Sequence, residues 1–383
     1  MTLQLPTLGE ELTSRQPDQP ADPRVQDTHA SQSRLIWRRF RRHRLAVIGG
    51  IVLVLMYLVA LFAGFVAPFG SNTFQADQAL RPPQLPKFSL AHGFYVHPSV
   101  GKTNIQTMDR EFVEDRNTYV ELRFFVRGDK YKLFGVIPAD RHLFGPKDPH
   151  QRWYLLGADR AGSDLYSRII YGSQISLSIG LLGVGVSLVL GLLIGGVSGY
   201  FGGWADTVIQ RVIELIISIP TLPLWLGLAA SVPPQWGPTP TYFMITIILS
   251  LIGWTGLARV IRGRLLQARG EDFVLAARLD GLGSGRIIGR HLLPSFASHI
   301  IATVSLAVPS MILAETALSF LGLGLRAPAV SWGVLLQDAQ SLQTLDSAPW
   351  LLLPGIAVVL AVVAFNFVGD GLRDSADPYG RRD

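Results

Sequence analysis

The chain has no cysteine and little charge. Without thiols, disulfides, thiolate metal sites and a cysteine nucleophile are excluded. Asp, Glu, Lys and Arg make up 16% of the 383 residues, against roughly 25% in an ordinary globular chain. The shortfall is local: none of the four occurs at 45–76, 169–205, 215–258, 291–314 or 347–369. A helix that crosses a bilayer needs about 20 largely apolar residues. Each window supplies that length, and the third is long enough for two helices. A soluble enzyme, a disordered chain and a fibre are therefore excluded. Residues 1–33 lack the apolar core and cleavage site of a signal peptide. Their Gln, Pro, Asp and Ser content is that of a disordered tail.

What charge there is has a pattern. Residues 34–44 carry six arginines interleaved with Leu35, Ile36, Trp37 and Phe40, directly before the first apolar run. A basic arm could bind nucleic acid, but this placement suits a cytoplasmic anchor that orients the first span by the positive-inside rule. That span is expected over 45–66, stopping at Pro68, with five more near 174–200, 207–231, 241–261, 295–319 and 349–369. Following the chain puts 262–294 on the cytoplasmic side. That segment carries six arginines and three acids, which agrees with the same rule independently. Six spans with both termini cytoplasmic result. Gly191 and Gly195, with Gly196 and Gly199 close behind, form a small-residue stripe for close helix packing. Pro220, Pro223 and Pro309 fall inside spans, where proline kinks are tolerated.

Between the first two spans lies a polar segment of nearly a hundred residues, too long to be a linker. Alternating stretches at 119–126 and 131–137 read as strands, joined by a hairpin turn at Arg127-Gly128-Asp129-Lys130. A small β-containing extracytoplasmic subdomain is expected there. Its 13 basic and 11 acidic residues over 70–165 nearly cancel, which argues against electrostatic capture of a strongly charged solute.

No catalytic apparatus is visible. Val100-Gly101-Lys102-Thr103 lacks the earlier glycine of a phosphate-cradling loop, since that position is Val96. His92 and His97, with His142 and His150 further on, have no regular metal-ligand spacing. A multispanning chain without its own engine is a channel, an ion-coupled carrier, or the membrane half of a split transporter. An ion-coupled carrier calls for ionisable residues at mid-span and inverted repeats, whereas these spans are nearly free of charge.

The segment 270–294 separates the alternatives. Glu271 and Asp272 suit a helix N-terminus, Phe273, Ala276, Ala277 and Asp280 spread over two turns, and Gly281 can end the helix. A basic stretch from Arg286 to His291 then leads to Pro294. A short helix and turn lying along the membrane forms a docking knob, and its small alanines permit close approach of a partner. The order Ala276-Ala277, Gly281 and Leu293-Pro294 resembles the EAA loop of permease subunits of binding-protein-dependent ABC importers, with Leu275 at the family's glutamate position. Further stretches resemble the dipeptide, oligopeptide and nickel branch of that family. They are Trp37 to Val47, Gly157-Ala158-Asp159 through Gly162-Ser163-Asp164, Gly199 to Asp206, Glu315 to Gly324, and Gly369 to Asp374. His92 to Val96 and Arg123 to Asp129 look like the enlarged periplasmic insert of the oligopeptide and microcin-C uptake subgroup.

The resemblance implies an all-α membrane protein of the type I ABC importer fold. Its implied parts are a tail at 1–33, an arm and first helix at 34–68, an insert at 69–165, a five-helix core at 166–375 and a tail at 376–383. It implies a non-catalytic permease in the bacterial inner membrane that passes di- or oligopeptides, with oligosaccharides or nickel chelates as alternatives. The implied partners are a homologous second permease, two ATPases that hold ATP and Mg, an extracytoplasmic solute-binding protein and lipid, with no nucleic acid. No cofactor is expected in this chain. Phe273, Leu275, Ala276, Ala277, Asp280 and Gly281 are the expected ATPase-coupling residues. Glu315, late in an outward span, and Arg168, just before an inward one, are expected at the outer half of the bundle. There they would serve as a structural pair or water-facing charges, or line the translocation path or gate.

Overall fold

The structure, a computed structural model, describes residues 32–103 and 110–376. The tails expected at 1–33 and 376–383 lie almost wholly outside the described residues. A short helix α1 (Gln32–Phe40) leads into α2 (Arg44–Leu61). His43 caps α2, its Nδ1 accepting from the Ala46 amide at 3.1 Å. A one-turn helix α3 (Ala63–Val66) ends the run before Pro68. Six strands follow: β1 (Lys87–Ser89), β2 (Gly93–Val96), β3 (Ser99–Thr103), β4 (Arg110–Glu114), β5 (Val120–Leu133) and β6 (Ile137–Pro146). They form an antiparallel sheet in the order β1-β2-β5-β6 and a separate pair β3-β4. A small core of Phe69, Val96, Val120, Leu122 and Trp153 fixes the sheet to the chain at the membrane end.

The expected hairpin turn at 127–130 is not a turn. Strand β5 runs on to Leu133, and the chain reverses at 134–136, where Phe134 and Gly135 have φ of 54° and 73°. Residues 127–130 form a bulge instead: Arg127 faces Arg141 while Tyr131 faces Ala139, so four steps on β5 match two on β6. The Gly-Asp pair serves tertiary contacts here. Asp129 Oδ2 accepts from the Gly70 amide (2.9 Å) and the Thr73 hydroxyl (3.0 Å), and Arg152 lies at 3.3 Å. A Cβ at Gly128 would stand 2.8 Å from the His142 ring.

The helical part begins with α4 (Leu165–Phe201), 37 residues and about 55 Å long at 1.5 Å per residue. It starts nine residues before the span expected at 174–200, where Asp164 caps it, accepting from the Ser167 amide at 2.8 Å. Next come α5 (Gly203–Ser218) and α6 (Thr221–Ala230), bent by 86° at Ile219-Pro220. One span was expected at 207–231. The structure breaks it there, since Pro220 has no amide to continue the helix. Helix α7 (Pro238–Ala268) follows, then α8 (Asp272–Leu279), α9 (Ser284–Ile287), a π turn over Ile288–Leu292, and α10 (Leu293–Ser295). Helix α11 (Ala297–Phe320) runs through Pro309, and α12 (Trp332–Gln337), α13 (Leu342–Ser347) and α14 (Leu353–Ala376) complete the described residues. Among the described residues, five helical stretches are long and apolar enough to cross a membrane, with the bent α5–α6 pair as a sixth.

Packing follows the small residues. A Cβ on Gly191 or Gly195 would come within 2.8 Å of Leu257 or 2.6 Å of the Ala258 carbonyl, so the stripe on α4 lets α7 approach. At the far end of α14, a Cβ on Gly371 would overlap Ala46 of α2 at 2.2 Å. Leu177, Ile179, Leu249, Ile312 and Ala361 fill the centre of the bundle.

Candidate functional site

Two places carry the residues picked out by sequence. The first is the loop between α7 and α11. Glu271 occupies the N-cap of α8 in extended conformation. At the other end Gly281 has φ of 75°, its amide bonds the Arg278 carbonyl (3.0 Å), and the Leu282 amide bonds the Ala277 carbonyl (3.2 Å). This is a Schellman stop, which satisfies the last carbonyls and turns the chain. Val274 and Ala277, three apart on one face, are buried against Leu265, Ile287 and Leu292. The other five expected coupling residues, Phe273, Leu275, Ala276, Asp280 and Gly281, are exposed. Of the alanine pair, therefore, only Ala276 is presented outward. Leu279 is the most exposed apolar side chain of the loop at 88%. It escaped the sequence reading, although its offset from the Val274–Ala277 face marks it as outward.

One contact ties this loop to the bundle, and a second joins the bundle helices just behind it. The Arg278 guanidinium sits 5.2 Å from the centre of the Tyr200 ring at the end of α4, a cation–π contact. Arg262 of α7 grips Asp206 of α5 with two bonds of 2.5 and 2.6 Å, and Ser198 donates to the same carboxylate. Gly202 and Gly203, with φ of 66° and 56°, make the turn that brings Tyr200 and Asp206 to this end. The Gly199 to Asp206 stretch thus links α4, α5, α7 and α8. Motif resemblance found the stretch, but its partner residues come from packing.

The second place is the opposite end, beneath the insert. Arg168 pairs with Asp159, which is fully buried and also accepts from the Ala161 and Ser163 amides at 2.8 and 2.9 Å. Asp164 is buried beside it, bonded to the Ser167 amide and hydroxyl at 2.8 and 2.6 Å. Burial pushes its carboxyl up to about 7, against the pull of the Ser167 bonds. Gly157 and Gly162, with φ of 83° and 81°, shape this double turn. A Cβ on Gly162 would strike the Gln75 carbonyl at 1.8 Å, so residues 75–84 of the insert form part of the seat of α4. Arg168 borders a cavity of about 500 Å³ together with Ser71, Asn72, Arg160, Gln337 and Asp338.

Glu315 is elsewhere at this end and does not meet Arg168. It is fully buried, and accepts from the hydroxyls of Ser331 (2.7 Å), Ser319 (2.8 Å) and Ser176 (3.4 Å). The Ser176 hydroxyl also accepts from the Trp332 amide at 3.1 Å, and Ser319 from the Leu325 amide at 3.0 Å. The carboxylate thereby joins α4, α11 and the segment leading into α12. It lies inside the chain's own packing and does not line the cavity beside Arg168.

A helical bundle of this kind, with a stapled loop exposing apolar residues at one end and a folded insert at the other, defines a multi-pass membrane transport component. The family of binding-protein-dependent transport system inner membrane components matches residues 187–380, and the N-terminal TM domain of oligopeptide transport permease C matches 31–83. The chain belongs to the first of these families, and it is an inner-membrane transport permease subunit. It is 39% identical to the dipeptide transport system permease protein DppC of Bacillus subtilis over 232 residues, 60% of this chain and 69% of that one. It is 38% identical to the oligopeptide transport system permease protein OppC of Haemophilus influenzae, covering 63% of this chain and 76% of that one. Bacillus subtilis OppC is 28% identical over 358 residues, 92% of this chain and 93% of that one. A solved structure of the methionine ABC transporter MetNI, inward facing, is 17% identical with a TM-score of 0.42, covering 55% of this chain and 97% of that one.

Proposed function

We propose that this chain is the membrane permease subunit of an ATP-driven importer that takes up di- or oligopeptides delivered by a solute-binding protein. The exposed apolar surface of α8, held to the bundle by Arg278 on Tyr200, carries the coupling half of this reading. On it, partner ATPases dock at Phe273, Leu275, Ala276, Asp280, Gly281 and Leu279, while Ala277 anchors the helix from within. Movement of α8 is passed to α4 through Tyr200 and to α5 and α7 through Asp206 and Arg262. The peptide cargo is supported by the names of the relatives, which favour it over oligosaccharides and nickel chelates. The loop and both termini are taken as cytoplasmic, from the arginines at 34–44 and 262–294. The working division is an arm and first span at 34–68, an insert at 69–165 and a core at 166–375, paired with a second, homologous permease and two ATPases.

The test is to co-express tagged chain with its ATPases and permease partner. Phe273→Asp combined with Leu279→Asp places two charges on the docking face, and neither side chain supports the buried core. ATPase recovery should fall strongly while the permease remains in the membrane fraction. Undiminished ATPase recovery would remove α8 as the contact, and failure of the intact complex, supplied with its binding protein and ATP in proteoliposomes, to accumulate labelled peptide would remove the cargo assignment.

A further inference from the structure

The β5–β6 hairpin ends in side chains that a water-facing loop would not carry. Phe134, Val136 and Ile137 are 52%, 79% and 54% exposed, and Phe125, further along β5, is 61% exposed. The tip is also held at a defined height. Tyr131 lies so close to Gly64 of α3 that a Cβ there would stand 2.2 Å from the ring. His142 of β6 places its two ring nitrogens 2.5 Å from the Ala67 carbonyl and 3.0 Å from the Asp129 carbonyl. The Phe134 ring is 5.6 Å from Phe62, and Phe125 is 6.1 Å from Phe65.

That height can be converted to membrane depth. Helix α2 runs from Arg44 to Leu61, 18 residues, or about 27 Å at 1.5 Å per residue. The hydrocarbon core is about 30 Å thick. With Arg44 at one interface, Phe62 stands at the opposite boundary of the hydrocarbon, and Phe134 with it. The apolar tip therefore continues the exposed surface of the span, where Leu58 and Leu61 are 45% and 51% exposed. Above it along the hairpin stand the exposed basic side chains Lys132, Lys130, Arg127 and Arg141, with one exposed acid, Asp140. Aromatic and aliphatic side chains rimmed by Lys and Arg match the boundary between acyl chains and anionic headgroups.

We propose that the tip of the β5–β6 hairpin is a membrane anchor, with Phe134, Val136 and Ile137 embedded among the acyl chains of the adjacent leaflet and the flanking basic residues on anionic headgroups. The anchor clamps the insert to the lipid beside the first span and fixes its tilt over the mouth of the bundle. It does not depend on which cargo is carried.

The chain has no cysteine, so a single introduced thiol gives one labelling site. V136C, I137C and, as a water-facing control, L90C (Leu90 is 99% exposed) would each carry a nitroxide. The full-length protein would be placed in nanodiscs of phosphatidylethanolamine and phosphatidylglycerol, alone and as the assembled complex. Oxygen enters the acyl region, whereas a polar nickel chelate is excluded, so the oxygen-to-nickel collision ratio should be roughly tenfold higher at V136C and I137C than at L90C. A ratio equal to that of L90C overturns the proposal. Labels shielded from both reagents, in the complex alone or after addition of binding protein, also overturn it by assigning the tip to a protein partner.

Discussion

Glu315 and Asp164 are two buried carboxyl groups with different tasks. The Glu315 carboxylate is met by hydroxyls from three separate segments, so removing it strands donors that have no water to turn to. Glu315→Leu should cost about 1–3 kcal/mol for each stranded group, read as a lower Tm in detergent. Glu315→Gln keeps an acceptor oxygen and should stay near wild type in stability and uptake. A leucine variant as stable as the parent would dissolve the idea of a structural hub. Asp164 bears on pH. Its folded pKa, about 7 against a reference of 3.8, is raised by burial, so its contribution to stability is full below about 4 and is lost as pH rises through about 7. The loss is on the order of 4 kcal/mol. Asn also caps helices well, and Asp164→Asn should flatten the stability profile between pH 4 and 7. Thermal unfolding across that range checks this, and parallel profiles for parent and variant would contradict it.

Among the elements, α8 and the β5 bulge show how one residue type can mean opposite things. Gly281 ends α8 because its φ of 75° suits a residue without Cβ, and the space around it is open. Gly281→Leu therefore meets no clash. It pays about 1 kcal/mol or more in backbone strain, which the chain can relieve by reorienting α8. The expected result is a higher ratio of ATP hydrolysed to solute moved in proteoliposomes, with ATPases still bound. An unchanged ratio would separate Gly281 from coupling. Gly128 looks like a turn glycine in sequence, yet it serves a bulge. The need there is set by the ring of His142, a residue distant in sequence. Pro220 was legible as a disturbance of the helix, but not as an 86° break, because the angle depends on what α5 and α6 each pack against.

At the scale of the molecule, the insert and the bundle are interlocked. Residues 75–84 bond to 153–163 and seat the start of α4: the Gln75 amide reaches the Gly162 carbonyl (3.2 Å), and Trp153 Nε1 reaches the Gln84 carbonyl (2.9 Å). A deletion that aims to remove only the outer part must therefore keep them. Replacing 87–146, the stretch from β1 to β6, with a Gly/Ser linker should preserve membrane insertion and ATPase assembly. Uptake should then need roughly tenfold more binding protein, the factor for about 1.4 kcal/mol of lost docking energy. Titration of binding protein against uptake measures it, and an unchanged half-saturation point would leave the insert no part in delivery.

Charge-free windows and the glycine stripe determined in the sequence that this is a multispanning helical protein and that α4 carries a face for close packing; that α7 is the helix seated there came from the structure. These are local or periodic signals: a 20-residue apolar run and a four-residue glycine spacing carry their meaning wherever they occur. The Schellman stop at Gly281 was legible for the same reason. The partners of Arg168 and Glu315 were not. Asp159, nine residues before Arg168, is brought to it by the double turn at Gly157 and Gly162. Ser331 and Ser176 reach Glu315 from 16 and 139 residues away. Ala277 and Leu279 are both small or apolar residues of one short helix, and only the position of Leu265 and Ile287 turned the first inward and left the second outward. A pairing between distant segments is chosen by how the helices pack, and no spacing along the chain encodes that choice.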